Sequence, residues 1–227
     1  ATTGSSFWVG DNWFDVNTDD GDFITGLSEN SNRLLIPKQD SLYRYGDGVL
    51  SQCRALTGTT SGRSMVNLWG YTLHFGRDGL YRFDGVNDEL ITNSIKPYID
   101  GITGSYFTEI AATFKNNHYL AVLGDITNSD EDISITNAML DYDISQNNFH
   151  FYSLAHTPKV FTGFIENGIR NLYFGTDSAK VFRMFSGNAD GTTPIPVVIV
   201  TKQYFPSGPE YINTFEKILV FSQKGMG

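Results

Sequence analysis

The sequence contains one cysteine, Cys53, few prolines (7 in 227 residues) and only 7 Glu among its 25 acidic residues. A lone cysteine cannot close an internal disulfide, so this is not a disulfide-stapled scaffold. No local motif supplies the base that a thiol nucleophile needs, and Cys53 reads as an inert, half-buried thiol. Basic residues are also scarce. Sixteen Lys and Arg leave a formal net charge of -9, which argues against a grip on nucleic acid or on an anionic membrane surface. The most apolar runs, Val197 to Val200 and Ile218 to Phe221, fall far short of the ~20 residues of a membrane span. The start, Ala1-Thr2-Thr3-Gly4, has no initiator Met and no basic n-region, so it reads as a trimmed piece of a longer protein and not as a signal peptide.

What is abundant points to strands. Asp, at 18 residues, favours turns and caps, whereas the scarce Glu favours helix interiors. The 23 Gly supply tight connections, and the 17 Phe, 12 Tyr and 3 Trp suit pleated, half-buried surfaces. Helix bundles, coiled coils and disordered tails are disfavoured by the same balance, and the predicted class is all-β.

Turn signals divide the chain into degenerate hairpins. Leu34-Leu35-Ile36 leads through Lys38 to Ser41 into Leu42-Tyr43-Arg44-Tyr45 and Gly46-Asp47-Gly48. Tyr71 to Phe75 leads through Gly76-Arg77-Asp78-Gly79 into Leu80-Tyr81-Arg82-Phe83 and Asp84-Gly85, with Tyr43 and Tyr81 lying 38 residues apart. Each is a strand, a Gly/Asp turn, a second strand and a closing Asp-Gly, the signature of a β-hairpin. A looser copy runs from Asn171 to Gly175, turns at Thr176 to Ser178 and returns over Val181 to Met184. A variant combines His118 to Val122, Ala138 to Asp143 and Phe149 to Tyr152. All-strand units recurring at about 40 to 50 residues suit a β-propeller-like array of four or five antiparallel blades, whole or partial. A sandwich or a stack of hairpins satisfies the same pattern.

The expected organisation is an irregular lead-in over 1–30, propeller-like blades over 31–187, and a proline-rich loop with closing strands over 188–227. One short helix is expected between blades, capped by Ser94 and ended by Gly101.

Candidate chemistry is thin. Asp15 to Asp22 clusters the oxygens that calcium prefers, but Gly21 sits one place late for an EF-hand and Leu27 or Ser28 falls where the bidentate Glu belongs. A turn-rich loop is the favoured reading, and a calcium site closed by oxygens from elsewhere remains open. The acidic run Asp125, Asp130, Glu131 and Asp132 reads as a solvated hairpin tip, which lacks the apolar pocket a catalytic carboxylate needs. His74, His118, His150 and His156 form no HExxH or HxH pattern, and His150, between Phe149 and Phe151, is expected to face away from both. There is no Gly-x-Ser-x-Gly elbow, and Gly58 to Ser64 lacks the Gly-Lys-Ser/Thr ending of a phosphate loop, so it reads as a connecting loop. The sequence therefore nominates no catalytic, cofactor-binding or metal-binding residue and no cofactor, and predicts a protein that is not an enzyme.

Six segments carry a resemblance: Asp20 to Leu27, Asn32 to Ile36, Gly58 to Ser64, Gly76 to Gly85, Ile91 to Ile99, and Asn137 to Asp143. Their order resembles that in virion structural proteins of tailed bacteriophages, similar to the propeller-bearing tail hub or nozzle proteins of short-tailed phages. The resemblance spans residues 20 to 222 and implies a virion protein, assembled in the bacterial host cytoplasm. It further implies a sixfold homo-oligomeric ring around the DNA-ejection channel, with portal-adaptor, tail and fibre proteins as partners and with DNA passing without sequence-specific binding. It brings no catalytic residues. The competing class is a secreted glycan-binding or glycan-hydrolysing propeller. Trp8, Trp13 and Trp69 would then lie at exposed rims, whereas Trp69, beside Leu68 and Tyr71, otherwise reads as core.

Overall fold

The computed structural model describes residues 14–55 and 57–186, together with the backbone of 189–190 and 193–194. About half of these residues are in antiparallel strands. The first sheet is a meander of β1 (Ser28–Asn30), β2 (Arg33–Pro37), β3 (Leu42–Gly46) and β4 (Val49–Gln52). The second repeats it with β5 (Val66–Leu68), β6 (Tyr71–Gly76), β7 (Gly79–Phe83) and β8 (Asp88–Leu90). A short helix α1 (Lys96–Asp100) precedes the third sheet, formed by β9 (Ala111–Lys115), β10 (His118–Asn128), β11 (Ile133–Asp143) and β12 (Asn148–Ser153). The fourth has three described strands, β13 (Val160–Glu166), β14 (Ile169–Gly175) and β15 (Val181–Arg183).

The turns explain the meanders. Ser31-Asn32, Asp47-Gly48, Asn116-Asn117 and Asn167-Gly168 all adopt positive φ at both positions, the twist that two-residue hairpins between right-twisted strands require. Asn and Asp tolerate this left-handed region better than other side-chain-bearing residues. The helix differs from expectation at its start. Ser94 lies in a 3-10 turn, Asn93–Ile95, and the residue before the helix is Ile95, with no side-chain cap; Gly101 does end it. Pro97 explains the start, because a proline without an N–H fits the first helical turn.

Neighbouring sheets pack face to face through separate clusters. Leu35 and Leu42 of the first sheet meet Phe83 of the second around Cys53. Leu73, Phe75 and Leu80 on the opposite face of the second sheet meet Tyr119, Ala121, Leu123, Ala138 and Leu140 of the third. Leu120, Val122 and Met139 on the other face of the third sheet meet Leu172 and Phe174 of the fourth, with Met184. Alternation along each strand places successive side chains on opposite faces, so β6 and β10 are buried on both sides. The free face of the first sheet is covered by the lead-in, where Val16 packs on Ile36 and Tyr43.

Two compact units divide the chain. Residues 1–184 hold the four sheets; residues 185–227 form the second unit, in which the described elements are the short strands β16 (Ala189–Asp190) and β17 (Thr193–Pro194), paired antiparallel. Residues 195–227, the greater part of the expected proline-rich loop and closing strands, lie outside the described residues. The first sheet begins at Ser28, inside the segment read as lead-in.

Candidate functional site

The segment read as a plain connecting loop is a buried joint. Thr59, Ser61 and Ser64 are buried, and Gly58 approaches the first sheet so closely that a Cβ there would lie 2.1 Å from the Lys38 carbonyl oxygen and 2.6 Å from the Ser41 nitrogen. Thr59 donates from its backbone N–H to the Lys38 carbonyl (2.9 Å) and from its hydroxyl to the Phe75 carbonyl of the second sheet (2.6 Å). Ser64 Oγ accepts from the Phe75 N–H, the Ser64 carbonyl accepts from the Tyr119 hydroxyl of the third sheet (2.8 Å), and Thr60 donates to Phe107. Arg63 reaches the carbonyl of Lys159, just before the fourth sheet. Such buried polar groups cost stability unless each finds a partner, and here the partners come from different sheets.

The Asp15–Asp22 loop also spends its oxygens internally. Lys38, only 2% exposed, pairs with Asp20 at 2.6 Å, while Asp22 accepts from Ser41 Oγ and the Asp40 N–H. Hydrogen bonds from Lys38 and from the Asp22 N–H hold the Asp20 carboxyl below its ordinary range. No group of three or more His, Cys, Asp and Glu is placed to hold a metal ion among the described residues.

The acidic run is divided. Asp130, Glu131 and Asp132 do form the β10–β11 tip, but Asp125 lies within β10 and accepts from the Asn137 N–H. Among the histidines, His118 Nδ1 lies 2.7 Å from Asp141 Oδ1, and Tyr152 donates to the same carboxylate at 3.3 Å. His150 is exposed between half-buried Phe149 and Phe151, and His156 stacks on Phe182. His74 is fully buried against Tyr81 with both ring nitrogens unpartnered among the described residues.

Cys53 is buried, and burial raises its thiol pKa. A thiol reagent at neutral pH is therefore expected to label it slowly in the native protein and fully in denaturant; rapid native labelling counts against this packing.

Three surface features remain. Trp69 projects fully into solvent (101% exposed) from the β5–β6 turn, because that turn removes it from the alternation that half-buries Leu68 and Tyr71. The core placement suggested by Leu68 and Tyr71 is thus corrected; Trp8 and Trp13 lie outside the described residues. The outward face of the fourth sheet exposes Val160, Phe164, Ile169 and Val181 around Glu166, which accepts from Tyr173 and Asn171. Between the third and fourth sheets, Phe114, Lys115 and Asn116 face Gly163 and Arg170 to Leu172 across a cavity of about 120 Å³. Lys115, Gly163 and Arg170 carry no local motif, since only the stacking of two sheets joins them.

The third strands share one further position. Arg44, Arg82, Asp141 and Arg183 occupy matching places in the four sheets, and Arg44 bridges to the next sheet through the Gly85 carbonyl (3.0 Å). No helix among the described residues is long and apolar enough to cross a membrane.

No protein-family model matches the chain, and no curated protein matches it. Among solved structures, a domain described as the AfRom2 CNH domain is similar at 10% identity and a TM-score of 0.30, over 68% of this chain and 61% of that one. The chain thus spans less than two thirds of that domain's length. Its own sheets and their packing make it an all-β protein of consecutive antiparallel sheets stacked face to face.

Proposed function

We propose that this chain is a structural component of a tailed-bacteriophage virion, a tail hub or nozzle type of protein whose sheets are blades of a propeller-like array. In this reading it is a scaffold and not an enzyme, and copies assemble into a ring, sixfold by the resemblance, around the channel through which DNA is ejected. One observation carries the architecture. The first strands of successive sheets draw together, β1 with β5, β5 with β9 and β9 with β13, whereas β4, β8 and β12 make no comparable approach among the described residues. Sheets that converge on one edge and part at the other fan around an axis. The inner edges are also laced: Asn67 donates to Ser28 and Glu29, and Asn30 to Thr72. A fan of packed sheets joined by surface turns suits a subunit that must present fixed interfaces, and an acidic balance lets DNA pass without holding its phosphates.

Trp69 favours a second reading. A solvent-exposed indole held on a hairpin tip is suited to stacking on the apolar face of a sugar ring, as a glycan-binding propeller requires. Electron microscopy of the purified protein or particle separates the two. Sixfold or twelvefold rings that persist in Trp69→Ala support the virion reading; a monomer that binds a glycan array and loses binding in Trp69→Ala supports the other and sinks the first.

A further inference from the structure

We propose that the cleft between the third and fourth sheets is a binding site for a carboxylate group, held by Arg170 with Lys115 beside it. The cavity of about 120 Å³ has room for roughly four waters, or for a carboxylate and the carbon that carries it. Its shape depends on a missing side chain. A Cβ on Gly163 would lie 2.7 Å from Arg170 Nε and 3.0 Å from a terminal guanidinium nitrogen, so the guanidinium lies against the Gly163 backbone and lines the cavity. Beyond its strand pairing, the Arg170 side chain makes no ion pair or hydrogen bond among the described residues, although the chain carries more acidic than basic side chains. A planar guanidinium with open donors matches the two oxygens of a carboxylate.

The surrounding charges select the ligand. Lys115 lines the cavity from β9, and His118, its cross-strand neighbour, is occupied by Asp141. Asn171 lines it too, with its amide donated to Glu166, whose carboxylate also takes the Tyr173 hydroxyl and lies 3.9 Å from Arg183. Asp141, bonded to the cross-strand neighbour of Lys115, brings a negative charge to the neighbourhood, and it opposes a phosphate dianion more strongly than a singly charged carboxylate. The carboxylate has two sources, a sugar acid or an acidic side chain of another protein.

The inference stands apart from the assembly reading, because binding is read on the chain whether or not it forms rings. The protein is titrated at low ionic strength with glucuronate, with doubly blocked glutamate and with inorganic phosphate, and the backbone amide shifts of Gly163 and Arg170 are followed. Saturable shifts with a carboxylate are expected, weakened roughly tenfold or more by Arg170→Gln, as for loss of a charge-assisted hydrogen-bonded pair. Gly163→Ala, which keeps the charge but displaces the guanidinium, is expected to weaken binding as well. Tighter binding of glucuronate supports the site and assigns it to a sugar acid; equal binding of the blocked glutamate supports it and assigns it to a protein carboxylate. Tighter binding of phosphate than of either carboxylate, shifts that never saturate, or shifts unchanged in Arg170→Gln overturn it.

Discussion

Replacing Tyr119 with alanine is expected to cost the fold about 3–5 kcal/mol, the usual loss for a large aromatic side chain deleted from a packed interior. Tyr119 is fully buried on β10 in the cluster that joins the second and third sheets, and its hydroxyl donates to the Ser64 carbonyl at 2.8 Å. Burial keeps that hydroxyl protonated, pushing its pKa well above the ordinary tyrosine value. Tyr119→Phe keeps most of the ring packing and removes only the donor, leaving the Ser64 carbonyl unsatisfied for about 1–3 kcal/mol. Urea unfolding of the two variants separates the contributions, and the phenylalanine form remains readable even if the alanine form fails to fold. A Tyr119→Phe variant as stable as the parent removes the loop from the list of structural joints.

Acidification is expected to destabilise the protein through His74. Burial lowers its pKa to about 4, against the opposing pull of the Asp88 carboxylate. An unfolded chain takes up the proton near pH 6.5, so between about 6.5 and 4 the unfolded state binds a proton that the native state refuses. The contribution is therefore fully present above pH 6.5, falls away as the pH drops towards 4, and amounts to roughly 3 kcal/mol across that window at 1.36 kcal/mol per pH unit. His74→Phe retains an aromatic ring beside Tyr81, placed 5.7 Å away in the parent, and removes the titration. Denaturation midpoints measured from pH 7 to 4 should fall more steeply for the parent than for this variant. Parallel curves overturn the assignment.

The third-strand hairpins were legible because their signals are local. Asp47-Gly48 and Gly76 to Gly79 announce turns, and the Leu-Tyr-Arg segments between them alternate as strands do. The first strands were hidden. Ser28-Glu29-Asn30 and Val66-Asn67-Leu68 are three residues long and polar at one or more positions, so only their pairing partners define them. The Asn116-Asn117 and Asn167-Gly168 turns carry a signal of the same local kind, since their residue types suit positive φ. Burial of Gly58 to Ser64 left no trace in the sequence. Small polar residues look alike in a solvated loop and in a joint, and the groups that bury this one, Phe75, Phe107 and Tyr119, lie up to 55 residues from their partners. Trp69 misled for the opposite reason: apolar neighbours imply a core, but one turn residue resets which way a side chain points.

The joint formed by Gly58 to Ser64 also sets an order of construction. Each sheet is a meander of consecutive strands, so its own contacts are short in sequence and close early as the chain emerges. The hydroxyl that satisfies the Ser64 carbonyl arrives with Tyr119, and the carbonyl that receives Arg63 arrives with Lys159. Synthesis of the second sheet thus leaves hydrogen-bonding groups exposed until the third and fourth have been made. A chain that ends before Tyr119 therefore leaves the Ser64 carbonyl to water, and this joint closes only once later sheets are in place.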